Sequence, residues 1–275
     1  MKKWHAVIGD PIAQSMSPAM HDAWFIENDI DASYIPIHVT AAGFQDAVAG
    51  LKNLGCSGWN VTVPHKSAII PFLDQLEPSA QLMDAVNTVH VLPDGKLVGS
   101  NTDGLGFVRA LEEAYGVQCK GKKVLIIGAG GAARGIAYGL HSMGYGPISF
   151  TNRTMEKAEQ LAAGIANSEV LTIEEAASSL AEFGLIVQTT TVGMNFAQPG
   201  MPLDPKNMVA GTVVADIIYN PLATEFLAEA RKKGAQTMNG VGMFVHQGAL
   251  AFETWTGVRP NTEKMIQKIT TSLGG

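Results

Sequence analysis

Residues 123–154 read KVLIIGAGGAARGIAYGLHSMGYGPISFTNRT, and the fold follows from them. Val124, Leu125, Ile126 and Ile127 form a continuous apolar run, the pattern of a parallel strand buried on both faces. The run ends in Gly128-Ala129-Gly130-Gly131-Ala132-Ala133. Gly128 permits a tight turn, Gly130 lets the backbone approach a diphosphate, and Ala133 takes the third small position, where strand and helix pack closely. Ala132, Ile136, Leu140 and Met143 then recur at spacings of three and four, which predicts a helix that Gly144 closes. The first N–H groups of that helix would face the phosphates. A second strand is predicted over 148–151, ending in Asn152-Arg153-Thr154.

That triplet selects the cofactor. A site for NAD places an acidic side chain about 20 residues beyond the glycines, where it holds the ribose 2′-hydroxyl. None stands here. Arg153 offers a planar cation suited to a 2′-phosphate, and Asn152 and Thr154 add hydrogen-bonding groups. The reading is NADP.

With 275 residues the chain has the length of about two domains. Apolar residues make up 46% and charged residues 16%, enough apolar surface for a sizeable core and too little charge for a disordered chain. The net charge of −6 argues against nucleic acid as a partner. The basic triplet Arg231-Lys232-Lys233 sits at a predicted helix end before Gly234, where it complements the dipole. Cys56 and Cys119 have no metal or redox spacing and read as reduced thiols of a cytoplasmic protein; no metal is expected. The apolar run at 6–8 is too short for a signal peptide, and no stretch of about 18 apolar residues predicts a membrane span.

Strands and helices alternate along the chain, the sign of an α/β fold. Strands are predicted at 5–8, 34–39 and 59–63, and a hairpin at 88–92 and 96–99 around Pro93-Asp94-Gly95. Helices are predicted from Ser17-Pro18, with Ser17 as cap, to 27, then at 44–54, 66–73, 79–84 and 104–115. Past the quoted stretch come a helix from 155, a strand at 169–171, a helix at 173–183 and strands at 185–189 and 212–218. A helix from Pro221 to 233, a strand at 235–238 and helices at 241–255 and 263–273 complete the series. Four turns carry polar groups beside strand ends: Ser15-Met16-Ser17, Asn60 to Lys66, Asn87-Thr88 and Asn101-Thr102-Asp103. By themselves these residues fit turn chemistry and helix starts as well as a site.

Nine stretches in order carry a resemblance: GDPIAQSMSP (9–18), NVTVPHK (60–66), AVNT (85–88), GSNTDGLG (99–106), GAGGAAR (128–134), NRT (152–154), VGM (192–194), DIIYNP (216–221) and NGVGMFVHQ (239–247). Together they resemble the shikimate dehydrogenases, NADP-dependent enzymes that reduce 3-dehydroshikimate, over nearly the whole chain. The resemblance implies a two-domain α/β fold with a cleft between the domains. Residues 1–103 with 241–275 would form a mixed α/β substrate domain, and 104–240 an inserted Rossmann-type parallel-sheet NADP domain.

It also implies roles. Lys66 and Asp103 would be the acid–base pair. Ser15 and Ser17 would hold the substrate carboxylate, with Tyr219 near it; Asn60, Thr62, Asn87 and Gln247 would bond the ring hydroxyls. Gly128, Ala129, Gly130, Gly131 and Ala132 would receive the diphosphate. Asn152, Arg153 and Thr154 would hold the 2′-phosphate. Thr190 and Met194 would pass the nicotinamide ribose, and Ile218, Gly240 and Met243 would line the nicotinamide pocket. His65 reads as structural. Gln188 stands where the family more often has Asn. The implied partner is a small molecule, and the expected state is monomer or homodimer. Alternatives are a quinate/shikimate dehydrogenase of relaxed specificity, a non-catalytic NADP-binding regulator, and a folate-type dehydrogenase of similar plan.

Overall fold

The computed structural model describes residues 2–194 and 199–274, which divide into two compact units, Met1–Thr102 with Gln247–Met265 and Asp103–His246 with Ile266–Gly275.

The first unit is built on a six-stranded mixed sheet. Its elements are β1 (Lys3–Gly9), α1 (Ser17–Glu27), β2 (Ala32–His38), α2 (Phe44–Asn53), β3 (Gly58–Val61), β4 (Gln75–Leu76), α3 (Pro78–Met83), β5 (Thr88–Val91) and β6 (Leu97–Ser100). The strand order is β2-β1-β3-β5-β6-β4. β1 runs parallel to both β2 and β3, whereas β5 runs antiparallel to β3 and to β6, the hairpin read from Pro93-Asp94-Gly95. One face buries Ile8, Trp59, Val61, Ile69 and Val89. His5, His21, Trp24, Phe25, Tyr34, Phe252 and Trp255 form a ring cluster in which His5 stacks on Trp255 and His21 on Tyr34, while Trp24 meets Phe252 edge-on and the pairs Phe25–Phe252 and Tyr34–Trp255 meet tilted. Burial lowers the pKa of His21 to about 3 and of His5 to about 4, so both stay neutral.

The second unit holds α4 (Asp103–Tyr115), β7 (Lys123–Ile127), α5 (Gly131–Ser142), β8 (Ile148–Thr151), α6 (Met155–Ala162), β9 (Ser168–Leu171), α7 (Ile173–Ser178), β10 (Phe183–Gln188), β11 (Val213–Asp216), α8 (Glu225–Lys232) and β12 (Gln236–Met238). Its sheet is parallel throughout, ordered β12-β11-β10-β7-β8-β9. Val124 and Ile126 of β7 enter one core and Leu125 and Ile127 the other, which is why that strand reads apolar at every position. The strand order reverses between β7 and β10, where doubly wound sheets bind ligands at their carboxyl ends. α9 (Val241–Thr256) and α10 (Thr262–Ser272) each contribute residues to both units.

The helix expected over 173–183 stops at Ser178, a 3₁₀ turn follows at Leu180–Glu182, and Phe183 already belongs to β10. Three further elements differ from the expectation. α1 begins with Met16 as its cap and no side-chain cap bond; Ser17 is already helical and its N–H donates to Ser15 Oγ at 3.3 Å. No α-helix forms over 66–73: turns lead into a single 3₁₀ turn, Ile70–Phe72. Pro71 lacks the N–H that an α-helix needs there and disfavours helical geometry at Ile70. Pro221 does not open α8, which is capped by Thr224 through Leu227 N–H at 3.3 Å. Thr224 is held in place by a tertiary bond, its hydroxyl donating to Asp216 Oδ2 at 2.8 Å.

α4 and α5 cross in direct backbone contact. A Cβ on Gly104 would overlap the Gly135 carbonyl oxygen, and one on Gly139 would come within 2.6 Å of Gly104 C. Neither obstacle is a side chain that could swing away, so an added methyl must part the helices. Gly104→Ala and Gly139→Ala should each cost about 1–3 kcal/mol, read as a lower urea midpoint at unchanged m-value.

Candidate active site

The second unit contains the better-defined site. Gly128 has φ +115°, a region open to glycine, and its N–H donates to the Thr151 carbonyl at 2.8 Å. A Cβ there would collide with Thr189 Oγ1. Gly130 and Gly131 differ: a Cβ on either would meet nothing within 4 Å. Their glycines leave backbone bare at the start of α5, facing a cavity of about 180 Å³ lined by Ala129, Gly130, Asn152, Arg153, Thr154 and Lys157. A neighbouring cavity of about 360 Å³ is bounded in part by Gly128, Thr151, Arg153, Ile173, Thr190 and Val192. No carboxylate lines either one among the described residues. Bare N–H groups at a helix start, a guanidinium and an ammonium fit a dinucleotide with an additional phosphate. Asn152 Nδ2 donates to the Thr154 carbonyl at 2.8 Å, closing the turn that presents the exposed Arg153. Lys157 is an addition to the residues expected from sequence; its place on α6, three residues after Thr154, is the signal that points to it.

The next two strand ends carry buried polar anchors. Gln188 and Asp216 are register partners on β10 and β11, 0% and 1% exposed. Asp216 Oδ1 accepts the Ile218 N–H at 3.0 Å, and with the Thr224 bond this carboxylate holds the loop that carries Ile218 and Tyr219. Burial raises its pKa from 3.8 to about 6. Gly240 donates its N–H to the Ile218 carbonyl at 2.9 Å, and a Cβ there would overlap the Ile217 carbonyl. Tyr219 packs on Phe244 at 5.5 Å between ring centroids. Met243 is half-buried against the core; Met194 is exposed.

In the first unit, Asn60 and Asn87 form one buried network. Tyr34 donates its hydroxyl to Asn60 Oδ1 at 2.6 Å; Asn60 Nδ2 donates to the Asn87 carbonyl at 2.9 Å and to Thr88 Oγ1 at 3.1 Å. Asn87 Nδ2 donates to Thr102 Oγ1 at 2.9 Å, and its Oδ1 accepts the Thr102 N–H at 3.0 Å. Both amide hydrogens of Asn60 are thus committed inside the unit, leaving only a lone pair of its oxygen for a ligand. Thr62 sits over Gly9, where a Cβ would overlap its methyl. Lys66 is half-buried in the turn that follows, and its carbonyl accepts the Val86 N–H at 2.8 Å. His65 is buried, stacks on Phe44, and donates from Nε2 to the Val39 carbonyl at 2.6 Å, a structural use of the ring. Ser15 and Ser17 lie together at the start of α1, Gln247 lies on the part of α9 that belongs to this unit, and Asp103 opens α4 in the second.

A doubly wound parallel sheet with a glycine turn and a basic, acid-free ribose end, in one chain with a mixed-sheet unit rich in ordered amides, defines a two-domain NADP-dependent oxidoreductase. The comparisons narrow the class. Residues 7–89 match the shikimate dehydrogenase substrate binding domain, 110–202 the shikimate / quinate 5-dehydrogenase family and 240–270 the shikimate 5'-dehydrogenase C-terminal domain. The chain is 54% identical over 275 residues to a shikimate dehydrogenase (NADP(+)) of Lysinibacillus sphaericus, covering 100% of each. A shikimate dehydrogenase crystallised with NADP+ superposes with a TM-score of 0.92 at 39% identity, over 100% of this chain and 96% of that one. The Thermus thermophilus enzyme with NADP(H) and shikimate gives 0.89 at 34% identity, over 98% and 100%. The chain belongs to the shikimate dehydrogenase family.

Arg153→Ala should raise the KM for NADP+ by about 10- to 100-fold, the worth of a lost charge-assisted bond, and leave that for NAD+ near its starting value. Lys157→Ala should act in the same sense but only about two- to fivefold, being an exposed charge. For Asp216, the folded pKa lies above the ordinary one, so its contribution to stability is full below pH 3.8 and lost as pH rises through about 6. Asp216→Asn, which cannot ionise, should therefore gain on the parent from about pH 4 to about pH 6.5 in urea melts and keep a constant lead above that.

Proposed function

We propose that this protein catalyses the reversible NADPH-dependent reduction of 3-dehydroshikimate to shikimate, a step toward chorismate and the aromatic amino acids. The observation that carries this reading is the acid-free cavity around Arg153, in a chain matched end to end by a shikimate dehydrogenase (NADP(+)). Residues 104–240 hold the cofactor, and 1–103 with 241–275 hold the substrate. The enzyme works on a small molecule in the cytoplasm, as a monomer or homodimer; among the described residues no helix is long and apolar enough to cross a membrane.

Bound NADPH supplies the hydride. Lys66 donates a proton to the oxygen on which negative charge develops, and Asp103 orients the ammonium and accepts a hydrogen bond from the same hydroxyl. Ketone, hydride and proton together give the alcohol; in the reverse direction Lys66 takes the proton back. The hydroxyls of Ser15 and Ser17 hold the substrate carboxylate at the start of α1, with Tyr219 near it. Asn87, Thr62, Gln247 and the Asn60 oxygen bond the ring hydroxyls. The Tyr34–Asn60–Asn87–Thr102 chain keeps Asn87 in one orientation before substrate arrives, so little ordering is left for binding.

The test is the appearance of reduced nicotinamide when purified protein meets shikimate or quinate, each with NADP+ or NAD+. Fast turnover with shikimate and NADP+ alone is expected; comparable turnover with quinate or NAD+ would make this a quinate/shikimate enzyme of relaxed specificity, and NADP+ binding without turnover a regulator. Lys66→Ala should lower kcat by about 10²- to 10⁴-fold with shikimate affinity near the parent's. Affinity lost in step with kcat would make Lys66 a binding residue.

A further inference from the structure

Gln188 takes no part in the mechanism above, yet its whole amide is engaged. It is the last residue of β10, at the strand-order reversal, and is completely buried. Its Oε1 accepts the Thr190 N–H at 2.6 Å. Its Nε2 donates to the Thr190 carbonyl at 3.1 Å and to the Val192 carbonyl at 3.0 Å. Three bonds within four residues fold the segment back on its own strand end, and the side chain reaches as far as i+4. The loop is also fastened to β7, since the Thr189 N–H and hydroxyl donate to the Ile127 carbonyl at 2.9 and 2.7 Å. Thr189 Oγ1 occupies the space that a side chain on Gly128 would need, and Thr190, Thr191 and Val192 line the larger nucleotide cavity.

We propose that Gln188 is a positioning residue for the dinucleotide: its amide sets the 189–192 loop, and through that loop the wall of the cofactor site against the Gly128 turn. It touches neither cofactor nor substrate. The chain length matters. An asparagine at this place is one methylene shorter; it can still meet the Thr190 N–H as an Asx turn but falls short of the Val192 carbonyl, releasing the far end of the loop. A glutamate keeps the acceptor and loses both donors, setting a carboxylate against two carbonyl oxygens. The inference rests on the NADP reading of this cavity.

Gln188→Glu, Gln188→Asn and the parent should be titrated calorimetrically with NADP+ and, separately, with shikimate, and melted without ligand. Losing two buried donors should weaken NADP+ about tenfold or more in the Glu variant, with Asn between it and the parent. Shikimate dissociation constants should stay within about twofold, inside the scatter expected for remote sites. NADP+ affinity unchanged in folded variants, or NADP+ and shikimate weakened in parallel with the melting temperature, would overturn the assignment and leave Gln188 an ordinary core residue. If the Glu variant does not fold, the Asn variant decides on the same readout. Failure of the parent to bind NADP+ at all would instead strike the cofactor reading itself, so the two are told apart within one experiment.

Discussion

The second unit depends on one close approach. β7 is followed at once by Gly128 at positive φ, and the loop after β10 places Thr189 where a side chain on that glycine would have to be. The two segments come from the two halves of the doubly wound sheet. Their contact sits where the strand order reverses and the chains leaving β7 and β10 lead to opposite halves of the sheet, which is where doubly wound sheets open a crevice. Thr189 closes it by bonding the Ile127 carbonyl through both its backbone and its hydroxyl. The bare start of α5 and the guanidinium of Arg153 then face cavities whose walls are already fixed.

The same economy of buried polar groups runs through both units. Asp216 and Gln188 end adjacent strands, and each spends its side chain on the loop that follows. Asn60 and Asn87 do the equivalent between β3, β5 and the residues before α4. A buried amide or carboxylate without partners costs more than its bonds return, so each fixes its loop in one arrangement. Asp216 carries the visible cost, a carboxyl whose ionisation is disfavoured by the burial that makes it useful.

Much of this was legible in the residues. The β7–α5–β8 unit appears where the apolar run, the glycines and the 3.6-residue period place it, and β8 has the predicted limits. Local signals failed where a distant side chain competed. Pro221 has the chemistry of a first helical residue, but Asp216 holds Thr224, and the helix starts there. Ser17 has the chemistry of a cap, but Met16 is already helical and Ser15 takes the Ser17 N–H. The 66–73 segment has helical length, but Pro71 breaks it. The relevance of Lys157 lies in the cavity it shares with Arg153.

The sequence by itself determined the parallel nucleotide-binding sheet, its glycine turn, the absence of an acid at the ribose end and the resemblance to a family, because each depends on residues near one another in the chain: period, turn propensity and charge are local quantities. Only the tertiary structure decided which polar side chains hold loops and which face a cavity, that both hydrogens of Asn60 are taken, that His65 serves the fold, and that Gln188 reaches Val192. Those outcomes depend on which groups lose water together, and burial is a property of the packed chain that no single stretch of residues specifies.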